Sequence, residues 1–270
     1  MNDFQQKYYE QSNLWNENFS KIAAEQERLK EIINAIPDDV ESVLDVGCGN
    51  GFFINFLRKT GRYKKLVGLD TSAEALKFVE TERVQGVIDS LPFKNNSFDL
   101  VTCLEVLEHL PEEDFKKGIL ELQRVSKKYI LITVPNEESL ERSLVMCPKC
   151  CCWFNPHFHM RSFDKKRMGN LFNNFILTKF KEIGPVLKIY TYPVSLFHLY
   201  CSLKKPLPPQ SAICPQCGYQ IEKQEKDILI SRKTFTIRQI IVFPIKTLAK
   251  LIWHSAYKKK WLLALYKKNE

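Results

Sequence analysis

No stretch of this chain stays apolar for the roughly 18–20 residues that a membrane-spanning helix needs. Its opening, MNDFQQKYYEQSNLWNENF, is polar and aromatic and lacks the apolar centre of a secretory signal. Both absences point to a cytosolic protein whose thiols stay reduced. Nine cysteines in that compartment suggest metal or catalysis before disulfides, and no thioredoxin-like context surrounds them. No internal repeat is visible, except that Cys-Pro-x-Cys occurs twice. Acidic residues are almost missing from positions 231–270, where ten Lys/Arg face only Glu270. That segment carries the whole net charge of +9, while residues 1–230 hold thirty charges of each sign. A neutral body with a basic tail gives no whole-protein argument for nucleic-acid binding.

What is present is a globular balance. The 270 residues are 44% hydrophobic and 26% charged, enough for one large core or one core with a satellite module. Residues 20–36 read as a helix striped by Ile22, Leu29, Ile32, Ile33 and Ile36, ended at Pro37. Apolar runs SVLDVG (42–47), KLVGLD (65–70), VQGVID (84–89), FDLVTCLE (98–105) and YILITVP (129–135) then alternate with helical stretches. This predicts an α/β fold with a mostly parallel sheet covered on both faces. Beyond Pro135 the spacing predicts a helix capped by Asp164 and running to about Asn174, a strand at 175–183 and a last strand at 227–233. The expected organisation is an N-terminal helical segment (1–36), a ligand-binding core (37–135), the rest of that domain with two insertions at 136–162 and 184–223 (136–233), and the tail (234–270).

The most informative stretch is LDVGCGNGFF (44–53). A strand ends at Val46, Gly47, Gly49 and Gly51 follow at alternate positions, and a helix begins. Such glycines let a backbone turn sharply and approach a ligand closely. Asp45, Asp70 and Asp89 each close a successive strand on one edge of the sheet, where open α/β sheets bind ligands. A nicotinamide dehydrogenase uses Gly-x-Gly-x-x-Gly, and here the third glycine comes one position early.

With LDVGCGNGFF, VGLDTS, DSLPFKNNSFDLVTCLEVLEHL and ILITVPN on view, the chain resembles the class I S-adenosylmethionine-dependent methyltransferases of the UbiE-like, methyltransferase-11 type. The resemblance is close over about 40–135 and looser over 159–175. It implies a Rossmann-like seven-stranded sheet and S-adenosylmethionine as cofactor. By resemblance, Gly47, Cys48, Gly49 and Gly51 line the methionine moiety, and Asp45 holds the turn and the amino group. Asp70, with Thr71 beside it, takes the ribose hydroxyls. Asp89 takes the adenine amino group, with Ser90 and Leu91 flanking the ring, and Glu105 onward borders the sulfonium and acceptor. No Asn/Asp-Pro-Pro-Tyr follows the fourth strand, where TCLEVLEHL stands, so nucleobase amino groups are not the expected target. A small-molecule, sugar or lipid-linked acceptor is expected, methylated at oxygen. A methyltransferase-fold binding module and an RNA methyltransferase are the rival readings.

Cys147-Pro-Lys-Cys150 and Cys214-Pro-Gln-Cys217 are two knuckles whose four thiolates suit tetrahedral zinc. The gap between them exceeds a compact zinc ribbon, so the fold must assemble the site. The expectation is a structural zinc cap over the ligand-binding edge, since four thiolates leave no open position. Unligated cysteines and a redox dithiol are the alternatives. Cys48 and Cys103 read as packing residues. His109, His157 and His159 are candidate bases, but each can equally serve structure, and His157 or His159 could ligate zinc. In the tail, Leu248, Ile252 and Ala256 share a helical face with Trp253, Tyr257, Trp261 and Tyr266 nearby. That pattern suits a helix packed on the protein itself, or one lying on the inner membrane surface.

Overall fold

The computed structural model describes residues 3–15, 22–190, 207–209, 212–220 and 255–269. The chain divides into two compact units. One comprises Met1–Glu138, Met160–Pro185 and Lys259–Glu270; the other comprises Ser139–His159 and Val186–Lys258.

The first unit is built on a seven-stranded sheet. Strands β1 (Ser42–Val46), β2 (Lys65–Asp70), β3 (Glu82–Gln85), β4 (Phe98–Leu104) and β5 (Ser126–Pro135) are joined by β8 (Phe175–Tyr190) and β9 (Ser255–Lys268) in the order β3-β2-β1-β4-β5-β9-β8. The first five run parallel, and β9 runs antiparallel to β5. Helices α1 (Asp3–Tyr9), α2 (Ser12–Trp15), α3 (Ala23–Ile33), α4 (Phe52–Thr60), α5 (Ala73–Leu76), α6 (Glu112–Val125) and α7 (Lys165–Gly169) accompany it.

Side chains of alternate parity feed two cores, as a pleated strand requires. Leu44, Val46, Val67, Leu69, Ile130, Ile132 and Val134 pack with Leu122 and Val125 of α6. Val43, Leu100 and Leu131 pack on the opposite face with Leu29, Ile32, Ile54 and Leu57 of α3 and α4. Parallel strands covered on both faces lack polar alternation for this reason.

Two boundaries differ from the sequence reading. The third strand stops at Gln85, where Gly86 donates to Asp70 O (3.0 Å) and the chain leaves the sheet with Ile88 buried against Gly118. Asp89 therefore lies in a turn, not at a strand end. The helix capped by Asp164 is short and ends at Gly169-Asn170, two poor helix formers.

The largest correction concerns the tail. Residues 255–268, expected as part of a helix, form β9. WLLALY (261–266) sends Leu262, Ala264 and Tyr266 into one core and Trp261, Leu263 and Leu265 into the other. A short apolar run of this kind fits a helix or a doubly buried strand equally well by periodicity. The expected strand at 227–233 and the tail residues 234–254 lie outside the described residues. No helix among the described residues is long and apolar enough to cross a membrane.

The second unit contains a two-stranded hairpin, β6 (Val145–Met146) with β7 (Trp153–Phe154). Its described core gathers Cys147, Phe154, Ala212 and Cys214, flanked by Val145, Cys150, Cys152, Cys217 and Tyr219.

Candidate active site and cysteine centre

At the carboxyl ends of β1, β2 and β4, the first unit encloses a cavity of about 400 Å³. Its position follows from the glycine turn. After Val46 the chain reverses through Gly47 and Gly49, both with positive φ, and Gly47 and Cys48 donate to Leu69 O at 2.7 and 3.0 Å. A β-carbon on Gly47 would run into the Val106 side chain, so only glycine fits there. Gly51, also left-handed, opens α4.

The turn is held by Asp70 rather than Asp45. One Asp70 oxygen accepts from Gly49 N (2.8 Å), the other from Ser72 N (2.9 Å). Burial still pushes the Asp70 carboxyl above its ordinary range. Asp45 is buried and lines the cavity, accepting from Thr102 Oγ1 at 2.7 Å. Burial, with Asp70 nearby, pushes it up to about 7. Cys48 is packed against Gly68, and burial drives its thiol upward. Thr71, Asp89 and Glu105 also line the cavity. Glu105 has a φ of 58°, a left-handed backbone rarely taken by such a residue. Ser90 and Leu91 do not line it; Val87 and Ile88 do. Leu91 N donates instead to Glu121. Cys103 is a core residue.

His109 lines the cavity, with its ring edge-on to Tyr9 at 5.9 Å. Beside it, Glu108 is 1% exposed and 3.8 Å from His109 Nε2. Desolvation pushes the Glu108 carboxyl well above the usual carboxylate range. His157 and His159 belong to the second unit, where Asn155 Oδ1 accepts from both backbone amides at 2.9 and 3.4 Å.

Tyr9, Trp15 and Arg28, all far from the glycine turn in sequence, line the cavity and escaped the sequence reading. Arg28 Nη2 pairs with Glu25 at 2.6 Å, and its Nη1 lies 3.8 Å from Glu105 with no hydrogen bond among the described residues. Its guanidinium stacks over Trp261 at 5.1 Å. Arg28 sits on a helix read only for its apolar stripe. The sole hint at the other two was an aromatic-rich polar start.

In the second unit the four predicted cysteines converge. Their sulfurs all lie within 4.8 Å of one another, with Cys147···Cys217 at 3.8 Å and Cys150···Cys214 at 3.6 Å. The two knuckles share one turn. Cys151 N donates to Cys147 O and Gly218 N to Cys214 O, at 3.0 and 2.9 Å, and both donors have positive φ. Cys151 thus stands where the other knuckle has glycine, and it is exposed, away from the cluster.

Residues 44–131 match the methyltransferase domain family. Over those residues, about a third of the chain, it is similar to that family. An uncharacterized protein of Methanocaldococcus jannaschii is 36% identical over 102 residues, 36% of this chain and 42% of that protein. A ubiquinone biosynthesis O-methyltransferase of Albidiferax ferrireducens is 30% identical over 96 residues, 32% of this chain and 37% of that enzyme. The chain therefore spans about two-fifths of the curated relatives it matches. Among solved structures, a chain from the complex of the Haloferax volcanii Trm112 methyltransferase activator with a methyltransferase aligns with a TM-score of 0.56 at 16% identity, covering 100% of this chain and 99% of that one. A methyltransferase of Bacillus halodurans aligns with a TM-score of 0.52 at 17% identity, covering 90% and 99%. These two likenesses show a shared fold.

Proposed function

We propose that the protein transfers a methyl group from S-adenosylmethionine to an oxygen of a small-molecule or lipid-linked acceptor. The observation that carries this is the charge pattern around the glycine turn. An amino-acid cofactor is a zwitterion. Asp45 offers a buried carboxylate to its ammonium, and the Arg28 Nη1, with no hydrogen bond among the described residues and on the same cavity, suits its carboxylate. Gly47 and Gly49 let the backbone approach between them, and Asp70 and Thr71 stand where ribose hydroxyls would be held. Asp89 lies further along the wall, beside Val87 and Ile88, toward the base.

The bound cofactor supplies an electrophilic methyl on a sulfonium. The chain aligns the acceptor in line with it and excludes water through Phe52, Phe53, Leu104, Val106 and Leu110. His109 is the group placed to take the acceptor proton, because it alone of the three candidate histidines lines the cavity. Oxygen as the target is supported by the O-methyltransferase named among the relatives. Calorimetry with S-adenosylhomocysteine tests the reading. The wild type should bind, and Asp70→Ala should weaken binding by at least tenfold, as loss of a charged hydrogen-bond partner does. Failure of the wild type to bind would sink it.

We also propose that Cys147, Cys150, Cys214 and Cys217 hold a structural zinc ion. Tetrahedral zinc with bonds of about 2.3 Å requires sulfurs about 3.8 Å apart, and the spacings of 3.8 and 3.6 Å agree. Mass spectrometry on protein purified without added metal should find about one zinc per chain, lost in Cys214→Ser.

A further inference from the structure

Residues 3–15 are tied to both loops that make the cofactor cavity. On the glycine side, Asn50 Nδ2 donates to Trp15 O at 3.0 Å, and the Trp15 ring covers Gly49, 2.9 Å from where a β-carbon would stand. On the ribose side, Ser72 Oγ donates to Tyr9 O at 2.9 Å. The Glu10 carboxylate accepts from Ala73 N and Glu74 N at 3.1 and 3.3 Å. Trp15 Nε1 closes the segment on itself by donating to Tyr9 O at 2.6 Å. Short elements held by polar and edge contacts, with few residues in the core, open at low free-energy cost.

Tyr9 is the residue this arrangement carries inward. Its backbone sits at Ser72, beyond β2, while its ring meets His109, beyond β4. The ring therefore crosses above the glycine turn. Its hydroxyl is buried and makes no hydrogen bond within the described residues. A buried hydroxyl without a partner is destabilising, which is readily tolerated where a ligand restores the bond. Burial holds the phenol protonated, with Tyr8, Glu108 and Asp70 acting in the same direction, so it keeps a proton to donate to an oxygen placed there.

We propose that residues 3–15 form a strap that closes over the bound cofactor, and that the Tyr9 hydroxyl donates a hydrogen bond to a cofactor oxygen. The proposal rests on the methyltransferase reading and deepens it, making the strap the gate for cofactor exchange and Tyr9 a binding residue.

The test uses the full-length chain with S-adenosylhomocysteine. Tyr9→Phe keeps the ring and removes only the oxygen. Its ligand-free melting temperature should equal that of the wild type, while its affinity falls roughly tenfold, the effect of one buried hydrogen bond. Trp15→Ala uncovers Gly49 without touching the phenol, and should speed ligand release in stopped flow by about tenfold or more, the usual route by which affinity is lost. Unchanged affinity in Tyr9→Phe together with unchanged release in Trp15→Ala would overturn the proposal while leaving the methyltransferase reading intact. A wild type that does not bind would overturn both, so the two failures are distinguishable.

Discussion

Asp45 and Asp70 end neighbouring strands, yet burial gives them different tasks. Asp70 is spent partly on the backbone of the turn. Asp45 keeps a carboxyl whose pKa sits at about 7 in the fold, against about 3.9 in an unfolded chain. The folded state then holds its proton more tightly. Stability is highest below pH 4 for this group, falls as pH rises toward 7 and is level above, a loss on the order of 4 kcal/mol. Urea unfolding at pH 5 and 8 should show that slope, and Asp45→Asn should flatten it. Cofactor affinity should run the other way, rising up to pH 7, because an ammonium prefers the ionised carboxylate. Gly47→Ala should abolish S-adenosylhomocysteine binding, since its β-carbon meets Val106 and its φ is 74°; calorimetry reads this directly. These glycines and acids were legible because their chemistry depends on residue type at fixed spacing along one loop. Tyr9, Trp15 and Arg28 were not, because their partners lie far away in sequence and nothing local marks them.

At the scale of elements, the two knuckles are one turn used twice. Gly218 occupies its left-handed position at no steric cost, and Cys151 does not. Cys151→Gly should therefore raise the melting temperature or leave it unchanged while keeping the zinc, whereas Cys150→Ser should lose the metal. A fall in zinc content in Cys151→Gly would mean that Cys151 ligates. Ligand spacing announced this pair because a metal fixes geometry. β3 was harder to bound. Val87 and Ile88 look like strand residues, but they leave the sheet to line the cavity, a choice made by tertiary packing.

For the whole molecule, β9 decides what can be removed. It fills the gap between β5 and β8 and buries Trp261 through Tyr266 in both cores. Fully burying side chains of this size contributes about 1.5–3 kcal/mol each, so a chain cut at 254 should be insoluble or molten, as circular dichroism and gel filtration will show. Membrane docking of the tail must then be tested by substitutions within 234–254, with β9 intact. Gly184→Ala should also destabilise the fold, since its β-carbon meets the Trp261 ring.

The same strand has a consequence for biosynthesis. β5 is complete at residue 135, but its antiparallel partner begins about 120 residues later. At roughly 5–20 residues per second on the ribosome, the nascent sheet waits on the order of 6–24 s with β5 as a bare, apolar edge. An unpaired edge is a template for pairing with another chain. Slow translation between codons 136 and 254, or loss of the chaperones that shield nascent chains, should therefore lower the yield of native protein more than it alters the stability of molecules that finish folding.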